Sequence, residues 1–336
     1  MKNKLLTIAI PVYKRYDSLY RLLKQIDDQI KQENLAEEIE VLICDDSGCI
    51  KQNFELIIPF LSENYFHYID NGENIGIINN ILKVIEESSG KYCLSPGDDE
   101  ELLENKLIEC VKVLRNLTNN IAAVIFDKEL LSENIVLNCF ETAERYFWYF
   151  GNLGCFVVNT EAVKDHFSCN KRNTIWPQTE LIFLAALEKN YDFFIVKNQI
   201  MHSFTHRVNT RYNSYYILEA GFVSLIKTAL NFENIKFQNV AIRNINNREK
   251  KLLIPLLLQY IFNDRKQDTK KTRKLIVECK TKFRPYIFDK TIYRFNLLSR
   301  IPKILYKVYL KTSKKYSRFE YIQNVDKKNK TNDEYT

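Results

Sequence analysis

No stretch of this chain approaches the roughly 18 to 20 consecutive apolar residues that a membrane-crossing helix requires. The opening MKNKLLTIAIPVYKR has one short apolar run that stops at Pro11 and meets charge, too short for a signal-peptide core with a cleavage site. The eight cysteines (44, 49, 93, 110, 139, 155, 169 and 279) include no CxxC pair and form no Cys/His cluster at zinc spacing. They are small reduced core residues by this pattern. There is no internal repeat. Together these absences imply a cytosolic protein held together by its own core.

That core can be large. The chain has 336 residues, 46% hydrophobic and 27% charged, enough for one sizeable α/β domain with an appendage or two modest domains. Its net charge of +7 is uneven: Arg265 to Arg318 holds 18 Lys/Arg against 3 Asp/Glu, so the remainder is acidic on balance. A basic partner surface therefore belongs near the C-terminus.

LLTIAI (5–10) is a β-type run stopped by Pro11, and Leu19, Leu22, Leu23, Ile26 and Ile30 then recur at helical spacing. IEVLICDDSG is a second buried strand, FHYIDNGENIG a third strand entering a loop, IINNILKVIEESSG a helix closed by Gly90, and KYCLS a fourth strand. A helix from Leu102 onward, a strand AAVIFD, the aromatic segment RYFWYFGNLGCFVVN, a helix TELIFLAALEKN and a strand DFFIV follow. Strands that alternate with helices and are themselves continuously apolar predict a mainly parallel sheet covered on both faces. Ligands bind such sheets outside the carboxyl ends of the strands. Those ends carry 11–15, 45–48, 71–76 and 96–100, so four segments are expected to meet in one crevice.

In SPGDDE, the adjacent carboxylates of Asp98 and Asp99 stand on a tight turn after an apolar run. Like charge there costs stability unless something positive lies against it. Two acids at a strand end suit an oxygen-loving cation, since Mg²⁺ or Mn²⁺ typically takes one or two carboxylates plus substrate phosphates, and Gly97 lets backbone come close. The alternative is a solvated turn whose acids cap the helix predicted from Leu102.

IAIPVYKR, EVLICDDSG, NIGIINNILK, GKY and the GDD acids, in this order and spacing over roughly residues 5–105, resemble the family 2 glycosyltransferases of the GT-A fold. The resemblance implies an α/β Rossmann-like sheet with a nucleotide-sugar-binding half (1–105) and an acceptor-binding half (106–214). By its own pattern the chain turns helical and increasingly basic from about Tyr215, a separate C-terminal module (215–325), and the Lys/Asn-rich tail (326–336) has the composition of a disordered segment. The resemblance implies that Pro11 and Tyr13 line the nucleotide pocket, with Tyr13 near the base. Asp46 and Asp45 would accept a hydrogen bond from the base, usually uracil, and Asn74, Gly76 and Asn80 would close the nucleotide loop and begin a helix. Asp98 and Asp99 would touch the ribose and the metal-bound diphosphate, with Mn or Mg as the metal. The commonest family pattern has another aspartate two positions before Asp98, where this chain has Pro96, and that departure weakens metal dependence.

For an inverting transfer the family places a base at the start of a downstream helix. Glu180 in WPQTELIFLAAL occupies that position, where it could equally serve the helix dipole as a first-turn acid. MHSFTHRVNTR offers His202, His206, Arg207 and Arg211 to close over the diphosphate. Trp148, Tyr149 and Trp176 could stack on a sugar or belong to the core.

In FNLLSRIPKILYKVYLKTSKKYSRF, apolar positions at helical spacing alternate with lysines and arginines, the pattern of a helix lying on an anionic bilayer. The expected partners are a nucleotide-sugar donor, a glycan acceptor such as lipid-linked lipooligosaccharide, capsule or O-antigen, and the cytosolic face of the inner membrane; no nucleic-acid motif is present. Two other functions fit a similar sheet. A nucleotidyltransferase would carry a glycine-rich phosphate loop after the first strand, and PVYKRYDS has no glycine. A non-catalytic glycan- or membrane-binding protein would keep the fold and lose turnover.

Overall fold

The computed structural model describes residues 4–118, 120–127, 133–151, 153–167, 176–203, 215, 218–248 and 270–277. These divide into two compact units. The first comprises Met1–Ser203 and Ser224–Asn244, the second Phe204–Val223 and Ile245–Thr336. In the second unit, residues 270–277 are helical and bury Leu275 and Ile276.

The first unit begins β1 (Leu6–Val12), α1 (Tyr16–Gln32), β2 (Ile39–Asp45), β3 (Phe66–Asp70), α2 (Ile77–Glu86), β4 (Tyr92–Leu94), β5 (Glu100–Leu102) and α3 (Lys106–Arg115). It continues β6 (Ile121–Phe126), β7 (Ile135–Leu137), α4 (Cys139–Tyr146), β8 (Phe156–Asn159), α5 (Thr160–Val163), α6 (Pro177–Lys189), β9 (Asp192–Val196) and β10 (Met201–Ser203). Later come α7 (Ser224–Leu230) and α8 (Ile235–Arg248).

Eight strands form one sheet in the order β3-β2-β1-β4-β8-β6-β9-β7. The pairs β3–β2, β2–β1, β1–β4 and β6–β9 are parallel, and β8 and β7 enter antiparallel. The sheet is mainly parallel, as its continuously apolar strands predict. Leu6, Ile8, Ile10 and Val12 of β1 and Ile39, Val41 and Ile43 of β2 pack with α1 and α3, including Leu19, Leu22, Leu23, Ile26 and Ile30. The strand period of two sends Ala9, Leu42 and Cys44 to the opposite face, where they are also buried, so both faces are covered. α2 packs on β1 and β2.

Two local expectations change. α2 ends at Glu86, four residues before Gly90, so Gly90 does not close it. A Cβ on Gly90 would lie 2.6 Å from the Thr7 nitrogen, so this glycine permits close backbone packing against β1. Residues 100–102 are a strand, not a helix start, because β10 pairs with them antiparallel, Met201 opposite Leu102 and Ser203 opposite Glu100. The following helix begins at Lys106.

A second, aromatic core explains why Ser224–Asn244 joins the first unit. Phe147, Phe150, Phe183, Phe232 and Phe237 interlock, with ring centroids 4.9 Å apart for Phe150–Phe183, 5.3 Å for Phe183–Phe237 and 4.7 Å for Phe232–Phe237. Asn244 secures the return, its amide donating to the Glu144 carbonyl (2.7 Å) and its Oδ1 accepting from the Trp148 N–H (3.0 Å).

Candidate active site

The carboxyl ends of β1, β2 and β4 meet as the sheet topology requires. Register places Val12 opposite Asp45, and Asp45 opposite Asp70. Pro11 is buried within β1, and Tyr13 follows the strand, 43% exposed. The Lys14 ammonium lies 4.7 Å from the centre of the Tyr13 ring. The nearby Lys14 and Asn74 side chains draw the pKa of the Tyr13 phenol below the ordinary value. Lys14 has φ +58°, a left-handed turn stabilised as its N–H donates to Ser47 Oγ at 2.9 Å.

The two acids after β2 have different surroundings. Asp45 is fully buried and accepts from the hydroxyls of Tyr16 and Tyr68, each at 2.5 Å, and from the Ser47 N–H at 2.9 Å. Its oxygens are thus directed into the protein. Asp46 accepts from the backbone N–H groups of Ile75 (2.6 Å) and Gly76 (2.9 Å), and from the Asn71 amide (3.3 Å). It pins the loop between β3 and α2, which turns at Gly76 with φ +86°. Asn74 Oδ1 accepts from the Gly76 N–H at 2.9 Å. Asn80 is buried and donates to the Cys44 carbonyl (3.1 Å), joining α2 to the end of β2.

Asp98 and Asp99 do not cap α3, whose N-cap is Asn105. They face Arg15, the residue just before α1. Arg15 Nε donates to Asp98 Oδ2 (3.0 Å), Nη2 pairs with Asp98 Oδ1, and Nη1 donates to Asp99 Oδ2 (2.7 Å). The Asp98 side chain is fully buried, whereas those of Arg15 and Asp99 are 34% and 35% exposed. Burial pushes the Asp98 pKa up to about 7, against the pull of Arg15 and of the Tyr13 N–H. Glu100 is half-buried as a residue, but its carboxyl end is enclosed: a Cβ on Gly154 would fall 2.0 Å from Oε2. The Gly97 N–H donates to that oxygen at 3.2 Å, and burial raises the Glu100 pKa to about 7.

Glu180 lies in the first turn of α6, 6% exposed, behind Pro177 at the helix start. Gln178 and Thr179 hold that turn on the Phe150 carbonyl, at 3.0 and 2.9 Å, and the Asn231 amide reaches Glu180 Oε2 at 3.4 Å. Tyr149 is half-buried and donates to Asp127, a buried acid just after β6, at 2.9 Å. Trp148 and Trp176 are half-buried too. His202 is on β10. His206, Arg207, Arg211, the basic segment 295–319 and the tail 326–336 lie outside the described residues.

The model of the family described as Glycosyl transferase family 2 matches residues 7–150, from β1 through α4. The chain carries a glycosyl transferase family 2 domain. It is a glycosyltransferase, and Glu180 falls beyond the matched span. No curated protein sequence matches the chain. The fold is similar to that of S. aureus TarS residues 1–349 (TM-score 0.57, 10% identity, 88% of each chain), also solved in complex with UDP (TM-score 0.56, 10% identity, 88% of each chain). It is likewise similar to the mannosyltransferase PcManGT from Pyrobaculum calidifontis in complex with GDP-Man and Mn²⁺ (TM-score 0.53, 10% identity, 88% of this chain and 85% of that one). At such identities the likeness speaks for the fold: a GT-A glycosyltransferase sheet.

Sequence patterning did not single out four residues at this site. Tyr16 and Tyr68 look like ordinary apolar positions, and Asp127 is one acid at a strand end. Arg15 had a signal, because the acid pair demanded a positive partner, and Arg15 was a cation at a neighbouring strand end.

Proposed function

We propose that this glycosyltransferase is inverting, moving a sugar from a UDP-sugar to a hydroxyl of a growing surface glycan such as a lipooligosaccharide, capsule or O-antigen unit. The observation that carries the reading is the convergence of Asp98 and Asp99 on one cationic centre beside Tyr13 and the Asp46 loop. Tyr13 presents an exposed ring to the base, and Asp46 fixes the loop that closes over it.

Asp98 and Asp99 already direct oxygens onto a single guanidinium, so their chemistry fits a divalent cation with a diphosphate. Among the described residues no group of three or more His, Cys, Asp or Glu could hold a metal alone, which leaves the remaining positions to substrate oxygens. Mn²⁺ or Mg²⁺ bound there would neutralise charge on the departing diphosphate. Glu180 accepts the proton of the acceptor hydroxyl as its oxygen bonds to the anomeric carbon. The bond from that carbon to the diphosphate breaks, and UDP leaves with the electron pair. His206 and Arg207 add positive charge at the diphosphate. The basic segment near the C-terminus holds the enzyme at the cytosolic face of the inner membrane, beside a lipid-linked acceptor.

The test is turnover of UDP-, GDP-, CDP- and dTDP-sugars with glycan acceptors, with the anomeric configuration of the product read by NMR. The expected result is transfer from a UDP-sugar with inversion. Glu180→Gln should keep nucleotide binding and lose transfer by about 10²–10⁴-fold. Near-normal transfer by the folded variant refutes the base assignment, and a retained configuration refutes the inverting mechanism.

A further inference from the structure

We infer that Arg15 is a displaceable counter-ion of the Asp98–Asp99 pair, and that its displacement couples divalent-metal uptake to diphosphate binding. The inference rests on the donor reading above and extends it to a residue with no assigned role. All three guanidinium nitrogens are engaged: Nε and Nη2 on Asp98, Nη1 on Asp99. The Asp98 carboxylate is fully buried, so water cannot replace the guanidinium, and an unpaired charge there is costly.

A dication and a guanidinium cannot both hold the same two carboxylates, because like charges a few ångströms apart repel strongly in a partly dry site. Metal uptake therefore requires Arg15 to leave. Its position permits this. Arg15 stands outside α1 with φ −126° and ψ 51°, carries a long side chain and is about one-third exposed, unlike its buried partner. A released guanidinium needs an anion, and its planar fork matches phosphate oxygens. The donor diphosphate brings such oxygens to the same strand ends. Metal alone must break the Arg15 pair without compensation. Metal with diphosphate gives both cations a partner, so each ligand tightens the other by the same factor.

The experiment measures Mn²⁺ affinity by electron paramagnetic resonance, without turnover, for the full chain with and without saturating UDP. In the wild-type protein UDP should tighten Mn²⁺ by about 5–150-fold, the usual range of such coupling. Arg15→Met should bind Mn²⁺ alone at least about 10-fold more tightly, since no cation competes, and its UDP-dependent gain should shrink toward unity. Arg15→Lys retains a charge but cannot bridge both carboxylates, and should fall between; it also carries the test if Arg15→Met does not fold. Unchanged Mn²⁺ affinity in the variants, or an undiminished UDP effect, overturns the role of Arg15 while leaving the donor reading intact. Absence of UDP binding to the wild-type protein overturns both.

Discussion

The Asp45 network gives a quantitative prediction about what holds the nucleotide loops in place. Asp45 ends β2, fully buried, and one of its oxygens, Oδ2, receives both phenols at 2.5 Å. Burial first, and then the Asp45 carboxylate, push the pKa of both tyrosines up, so they remain donors throughout the working pH range. A hydrogen bond to a charged acceptor contributes about 1.5–3 kcal/mol. Tyr16→Phe and Tyr68→Phe keep the rings that pack on Phe54, with centroids 5.6 and 5.3 Å away, so each isolates one hydroxyl. Each single variant should lose about 1.5–3 kcal/mol. The double variant should lose more than the sum, because Oδ2 would then have neither phenol and only the Ser47 N–H, on Oδ1, would remain. Urea unfolding followed by circular dichroism measures this. A double variant within about 1 kcal/mol of wild type would show that Asp45 does not depend on the tyrosines, and the reasoning would fail.

Other predictions concern single sites. Gly90→Ala forces a Cβ to 2.6 Å from the Thr7 nitrogen and 2.8 Å from the Leu6 carbonyl carbon, and should cost about 1–3 kcal/mol in thermal unfolding; an unchanged melting temperature would show that the backbone yields freely. Glu100, raised to about 7 by burial from an ordinary value near 4.5, holds a proton in the folded state that the unfolded chain has released. Its contribution is complete below pH 4.5 and is lost as pH rises through 7, so Glu100→Gln should flatten the fall in stability across that window. Chemical denaturation at pH 5, 6, 7 and 8 decides this, and an unaltered slope would contradict it. Phe237→Ala should destabilise the first unit by about 3–5 kcal/mol by opening the aromatic core, and a loss below 1 kcal/mol would mean that Ser224–Asn244 is not anchored there.

Much of the fold was legible because its signals are local and periodic. The five apolar residues at helical spacing in α1 are all buried, and the DFFIV strand has the bounds its composition suggests. Features made by partners distant in sequence were not legible. A helix reads from Leu102 onward, yet Leu102 ends a strand because β10 lies beside it, and the helix begins at Lys106. Gly90 resembles a helix stop, and only contact with β1 reveals why a side chain cannot fit. At the site, the motif order located the strand ends, but residue type alone could not separate Asp45, used by Tyr16 and Tyr68, from Asp46, used by the Gly76 loop. The acid pair posed its question in the sequence, and Arg15, more than eighty positions away, supplies the charge in the structure.

The most direct test of the account is calorimetric titration of the purified protein with UDP, GDP, CDP and dTDP, with and without Mn²⁺, repeated on Asp98→Asn/Asp99→Asn. The account predicts metal-enhanced binding of UDP that the double variant loses while remaining folded. Failure to bind any of the four nucleotides, or equal UDP binding by the double variant, would contradict the claim that the strand ends around Asp98 and Asp99 form the donor site.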